Sequence, residues 1–255
     1  MDEAIKLRSK CRHFRILIIG KANAGKTTLL KKVCNSIDDP EIYSPSGGKL
    51  DLSIVQGSSE RGMHDIENQL IFKSNRRFIF HDSRGFESGS LDEMQTVKSF
   101  ISERAKRGDL SNQLHAIWYC LPTDTNRPLL DADKKFFEEY GNGKVPVIAI
   151  FTKFDGLVTK AFSKLRETLN LKEATKKKLE KAAEILSTDF VEPLKVAASR
   201  PTAYVRLDDM RQEASNCKEL MDETANALDG DTLKLLFVSV QQINIDTCIR
   251  YSVQR

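Results

Sequence analysis

No stretch of the chain approaches the roughly 20 consecutive apolar residues that a membrane-crossing helix needs. The acidic start Met1-Asp2-Glu3 is not followed by an apolar run of signal-peptide length, so the expected location is cytoplasmic, without a transmembrane segment. Cysteine is scarce and odd in number. Cys11, Cys34, Cys120, Cys217 and Cys248 contain no C-x-x-C pair, which argues against a disulfide framework and a structural zinc site and leaves reduced thiols. Charge of one sign is lacking as well: 40 Lys and Arg against 36 Asp and Glu leave a net +4, spread over many segments, with no clear nucleic-acid signal. The local basic cluster Arg8, Lys10, Arg12, His13 and Arg15 reads as a solvated sheet edge rather than a lipid contact. There is no internal repeat and no low-complexity segment.

What remains is an ordinary globular composition, 40% hydrophobic and 30% charged, with a length that suits one α/β domain carrying an insertion. Short apolar runs rich in β-branched and aromatic residues alternate with helix-length amphipathic stretches, the pattern of a mostly parallel sheet wrapped by helices in three layers. The runs are Phe14 to Ile19, Arg77 to His81, His115 to Leu121 and Val145 to Phe151. Their near-continuous hydrophobicity suits strands buried on both faces. Met63 to Phe72 leads through Lys73-Ser74-Asn75-Arg76 into Arg77 to His81, which predicts one antiparallel edge strand. From Leu157 to about residue 200 the chain turns Lys- and Glu-rich at helical spacing, a helical insertion whose Lys176-Lys177-Lys178 run reads as a solvated face. Ala203 to Leu207 is a short strand candidate and Cys217 to Leu228 a helix. Leu233 to Ser239 fits a helix face or a buried strand.

Directly after the first run stands Gly20-Lys21-Ala22-Asn23-Ala24-Gly25-Lys26-Thr27-Thr28, an unbroken G-x-x-x-x-G-K-[ST], followed by a helical pattern. A loop of this kind turns backbone N–H groups into one concavity, and the helix N-terminus adds a positive dipole end, so it holds an anion. The candidate phosphate-binding residues are Asn23, Ala24, Gly25, Lys26, Thr27 and Thr28. Lys26 should reach the β- and γ-phosphates and the Thr27 hydroxyl should ligate Mg²⁺.

Asp82-Ser83-Arg84-Gly85 has D-x-x-G spacing at the end of the Arg77 to His81 run. Asp82 is thereby expected to hold Mg²⁺, and the Gly85 N–H to sense the γ-phosphate. Ser36 to Gly62 has the Gly, Ser and Pro content of a mobile loop and no threonine. A hydroxyl completing the magnesium shell there would be a serine, Ser58 or Ser59, with Ser59 taken for the site.

The run Val145 to Phe151 enters Thr152-Lys153-Phe154-Asp155, which resembles the [NT]-K-x-D guanine-specificity element of GTPases. A carboxylate at Asp155 can accept two hydrogen bonds from guanine N1–H and its amine, whereas adenine offers an acceptor and no amine on that edge. Three motifs in order over Gly20 to Asp155 resemble a G domain of the translation-factor-related class, with its ribosome-assembly and septin-like members. The resemblance implies GTP and GDP as ligands, Lys153 along the base plane, Thr152 supporting the loop, and a protein effector or dimer mate. It implies a further loop whose N–H meets the guanine oxygen. Val238-Ser239-Val240 is placed there, through Ser239 and Val240, ahead of the rival Asp208 and Asp209.

Phe86 follows Gly85 where signalling GTPases carry a water-orienting glutamine, so the expected hydrolysis is slow, with Lys26, Gly85 and Asn23 as its residues. Asn23 keeps two readings: a side chain that helps hold a potassium ion, as in related GTPases with asparagine here, or a residue tolerated in a tight turn. Three functions are weighed: a slow GTPase switch, a nucleotide-gated scaffold with negligible turnover, and an ATP-dependent P-loop enzyme. Residues 1–255 are expected to form a single G domain, alone or as part of a longer protein.

Overall fold

The computed structural model describes residues 13–50, 65–83, 91–141, 143–196 and 199–240. Among them an eight-stranded sheet is the organising element, ordered β3-β2-β4-β5-β1-β6-β7-β8. The strands are β1 Phe14–Gly20, β2 Glu41–Tyr43, β3 Lys49–Leu50, β4 Gln69–Phe72, β5 Asn75–Asp82, β6 Ala116–Pro122, β7 Val147–Thr152 and β8 Ala203–Arg206. β1 runs parallel between β5 and β6, with Ile16 beside both Phe80 and Ala116, and β7 and β8 continue the parallel side. Every residue of β1, β6 and β7 is buried, as expected of strands covered on both faces.

Helices cover the two faces. α1 Lys26–Val33, α7 Lys218–Ala227 and α8 Asp231–Val240 pack with Ile16, Ile18, Phe80 and Trp118 on one face. Trp118 is fully buried, and its indole N–H is satisfied by Thr224 Oγ1 at 3.1 Å, so the large ring carries no unmet donor into the core. On the other face α2 Leu91–Lys106, α3 Asp131–Tyr140, α4 Phe154–Arg166 and α5 Leu171–Leu186 close over Leu17, Ile19, Tyr119 and Phe151. Among the described residues the insertion is mainly helical: a turn at 167–170 joins α4 to α5, which passes through a π-turn at Ser187–Val191 into the short α6 Glu192–Lys195. It begins earlier than Leu157, because Lys153 caps α4 and Asp155 lies in its first turn. Lys176 and Lys177 are exposed on α5, as a solvated face requires.

Three sequence expectations are corrected. The antiparallel edge holds three strands, because part of the Ser36 to Gly62 segment is a hairpin: Glu41-Ile42-Tyr43 pairs with Lys49-Leu50 and with β4. The Ser44 to Gly48 stretch is its turn, closed by Ser44 N–H to the Gly48 carbonyl at 2.8 Å with Gly47 at φ 87°. Strand β4 starts only at Gln69, since Asp65 captures the Glu67 N–H with its side chain and the Asn68 N–H with its carbonyl, forming a turn. Arg15 is no solvated edge residue. It is buried on β1, donating to the Ser111 carbonyl at 2.7 Å and lying 3.3 Å from His81 Nε2. The other expected cluster members up to Arg12 lie outside the described residues.

Candidate functional site

The parallel strands all end at one edge of the sheet, at Gly20, Asp82, Pro122, Thr152 and Arg206, and the loops leaving those ends enclose one cavity of about 610 Å³. Open α/β sheets place ligands at this edge. The loop between β1 and α1 forms its floor. Gly20 is required there: an added Cβ would stand 2.6 Å from the Cys120 carbonyl oxygen and 2.9 Å from the Cys120 Cβ. Gly25 sits at φ 85° and serves as the N-cap of α1, with no side chain capping it and no acidic residue in the first turn. The first N–H groups of α1 therefore face the cavity without a protein acceptor from a capping side chain, the arrangement that receives an anion.

Asn23, Ala24, Gly25, Lys26, Thr27 and Thr28 all line the cavity, as the motif predicts. Lys26 Nζ donates to the Gly20 carbonyl at 2.8 Å and the Lys21 carbonyl at 3.2 Å, and it lies 3.8 Å from Asp82 Oδ1. A cation held at the mouth of an uncapped helix is placed to meet phosphate charge. Asn23 stands at φ 59°, in the left-handed region where asparagine is among the few tolerated non-glycine residues. That backbone alone accounts for its residue type.

Asp82 reaches the same cavity from β5, and Thr27 lines it as well. A carboxylate and a hydroxyl at the phosphate end are a donor set that suits Mg²⁺, an ion that keeps several waters and takes further oxygens from phosphate. Ser58, Ser59, Arg84, Gly85 and Phe86 lie outside the described residues.

Thr152, Lys153 and Asp155 line the same cavity. Thr152 is buried, and its hydroxyl donates to the Ala24 carbonyl at 2.8 Å, tying β7 to the phosphate loop. Asp155 Oδ1 is buried and, among the described residues, has no hydrogen-bond partner, an unmet acceptor that is costly unless a ligand supplies the donor.

Ser239 and Val240 are not at the site, which corrects their assignment to the last base-contacting loop. They end α8, where the Ser239 hydroxyl bonds back to the Leu236 carbonyl and Val240 is buried in the core. Their carbonyls accept from Arg77 at 2.9 Å and Asn75 at 3.0 Å, at the end of β5 remote from Asp82. The loop after β8 reaches the cavity: Asp208, Asp209, Met210 and Arg211 line it. The signal was present in the sequence. Leu233, Leu236, Phe237 and Val240 have helical spacing behind Gly230-Asp231, a helix start, which leaves Ala203 to Leu207 as the last strand. Asp209 is held below the usual carboxylate range by its hydrogen bonds to Arg211, which forms a fork at 2.8 and 3.2 Å. Sequence reasoning also missed Asp124 and Gly156, which line the cavity with Lys153, and Thr123, which is buried behind the Thr152-Lys153 turn.

Three buried thiols, Cys34, Cys120 and Cys217, are free, and burial pushes each up to about 12, so none is a nucleophile at neutral pH. Among the described residues no helix is long and apolar enough to cross a membrane.

No family model matches the chain. Similar curated proteins include the shikimate kinases of Burkholderia thailandensis and Burkholderia pseudomallei, each 28% identical over 127 residues, which is 48% of this chain and 67% of the relative. That likeness agrees with the loop and the cavity: the chain is a P-loop nucleotide-binding protein with an α/β three-layer fold.

Proposed function

We propose that the protein binds guanine nucleotide with Mg²⁺ and hydrolyses GTP slowly, as a nucleotide-dependent switch built on a single G domain. The observation that carries the guanine assignment is the buried Asp155 Oδ1, which has no hydrogen-bond partner among the described residues and lies in the cavity that the phosphate loop also lines. Guanine supplies two donors to such a carboxylate; adenine supplies an acceptor, which would leave the carboxylate unmet and repelled. Lys26 meets the phosphates and Thr27 and Asp82 hold the Mg²⁺, which supplies charge neutralisation on the phosphate oxygens. The loop Asp208 to Arg211 closes the base end. Gly85 is retained as the γ-phosphate sensor on its spacing from Asp82. Potassium is not part of the proposal, because the left-handed backbone at Asn23 is a sufficient reason for asparagine.

The second reading is an ATP-dependent phosphotransferase, and the likeness to shikimate kinases favours it over the first. In that reading the carboxylate of Asp155 serves something other than guanine. Competition decides between them: GTP and ATP are titrated against a bound fluorescent guanosine diphosphate, with Mg²⁺ present. Displacement by GTP at least tenfold more effective than by ATP supports the guanine assignment, and equal or better displacement by ATP sinks it. Phosphate release without an acceptor separates hydrolysis from transfer. Binding without turnover would leave a nucleotide-gated scaffold that changes its effector or dimer mate.

A further inference from the structure

We infer that Thr123 and Asp124, which follow β6, form a positioning clamp on Lys153 that presents the lysine stem to the base of the bound nucleotide. The inference rests on the base-site reading above. Lys153 adopts φ 59° and ψ 39° as the N-cap of α4, a left-handed conformation that costs free energy in a non-glycine residue and persists only where the surroundings enforce it.

The enforcement comes from β6. The single Thr123 hydroxyl proton is shared between the carbonyls of Thr152 and Lys153, each 3.0 Å from Oγ1, and the Thr123 backbone N–H donates to the Thr152 carbonyl at 3.0 Å. Both peptide units around the turn are therefore fixed by one residue. Asp124 takes the other end of the lysine: its Oδ2 lies 3.0 Å from Lys153 Nζ. With main chain and ammonium both held, the four-carbon stem between them has little freedom. Asp124, Lys153 and Asp155 all line the cavity, so the stem is held beside the carboxylate that reads the base.

Gly156 has its reason here. An added Cβ at that helical position would stand 2.7 Å from the Asp124 Cβ, so the missing side chain lets the β6 loop come close enough to reach Lys153. A plain surface ion pair would need no such clearance. With side chains 38% and 37% exposed, the pair adds little to folding stability by itself. Its consequence should appear in ligand affinity, through Lys153.

The test separates base from phosphate. Binding of GTP, ATP and magnesium tripolyphosphate, which carries the phosphates and no base, is measured by calorimetry on the full chain. Asp124→Ala should weaken the nucleotide that the wild type prefers by about fivefold while tripolyphosphate binding is unchanged. Asp124→Asn, which keeps an acceptor oxygen at the same reach, should recover part of the loss. Should Asp124→Ala fail to fold, Gly156→Ala carries the same test, because its Cβ displaces Asp124 without altering a charge. Unchanged nucleotide affinity overturns the clamp, and so does an equal loss for tripolyphosphate. Asp155→Ala reads the underlying assignment separately: an unaltered preference between GTP and ATP removes the guanine reading, and the clamp is still judged on the preferred nucleotide.

Discussion

The Thr152 hydroxyl donates to the Ala24 carbonyl at 2.8 Å, so the residue that opens the base-site motif is bonded to the middle of the phosphate loop. Both groups are buried, and neither end of the cavity can shift without straining the other. Thr152→Val preserves the shape but removes the donor, leaving the Ala24 carbonyl unmet at a cost of about 1 to 3 kcal/mol. The expected outcome is a lower unfolding midpoint in urea together with weaker binding of both nucleotide and tripolyphosphate. A loss confined to nucleotide would mean that the bond serves the base end alone.

Lys26→Ala should abolish or greatly weaken nucleotide binding without unfolding the chain. Its ammonium stands at the start of α1 and, among the described residues, bonds to the Gly20 and Lys21 carbonyls and approaches Asp82, with no role in the hydrophobic core. A hydrogen bond to a charged group is worth roughly 1.5 to 3 kcal/mol, so affinity should fall by about tenfold to a hundredfold. Circular dichroism checks the fold and calorimetry the affinity. Normal hydrolysis by the folded variant would place the phosphate site elsewhere.

Two buried histidines set a pH dependence. Burial, aided by the Arg15 and Arg104 charges, pushes His81 down to about 3, and burial pushes His115 down to about 4. Their partners fit neutral rings. His115 Nδ1 accepts the Arg15 N–H at 2.8 Å while Nε2 faces the Leu110 carbonyl, and His81 Nδ1 faces the Ile66 carbonyl. The unfolded chain, with ordinary histidines near 6.5, binds protons that the folded one refuses. Stability is then full above about pH 6.5 and falls as pH drops toward 4, by roughly 2 kcal/mol per histidine at pH 5. Urea unfolding at pH 7.5 and pH 5 measures it, and equal stability at the two pH values would contradict the buried neutral assignment.

The parallel core was readable because β1, β5, β6 and β7 carry apolar runs that need no alternation when both faces are covered. The phosphate loop and the Thr152 to Asp155 motif were readable because their chemistry lies in consecutive residues. The β2–β3 hairpin was not, since strands of three and two residues are too short to show a period. The Asp124–Lys153 pair was hidden for another reason: it exists only because β6 and β7 are adjacent and Gly156 leaves room, neither of which is a local property. The placement of Ser239 fails because the short run Leu235 to Val240 suits a helix or a strand by its pattern alone, and the Gly230-Asp231 start decides for the helix.

The guanine assignment stands or falls with Asp155, whose buried Oδ1 awaits a donor. In Asp155→Asn the amide can donate to the oxygen that xanthine carries where guanine has its amine. GTP should lose roughly 2 to 4 kcal/mol of binding free energy as two charge-assisted hydrogen bonds are broken, and xanthosine triphosphate should gain. The measurement is the ratio of dissociation constants for the two nucleotides in wild type and variant, taken by calorimetry with Mg²⁺. A reversal of preference from GTP to xanthosine triphosphate is the expected result, and an Asp155→Asn protein that binds GTP as tightly as the wild type contradicts it.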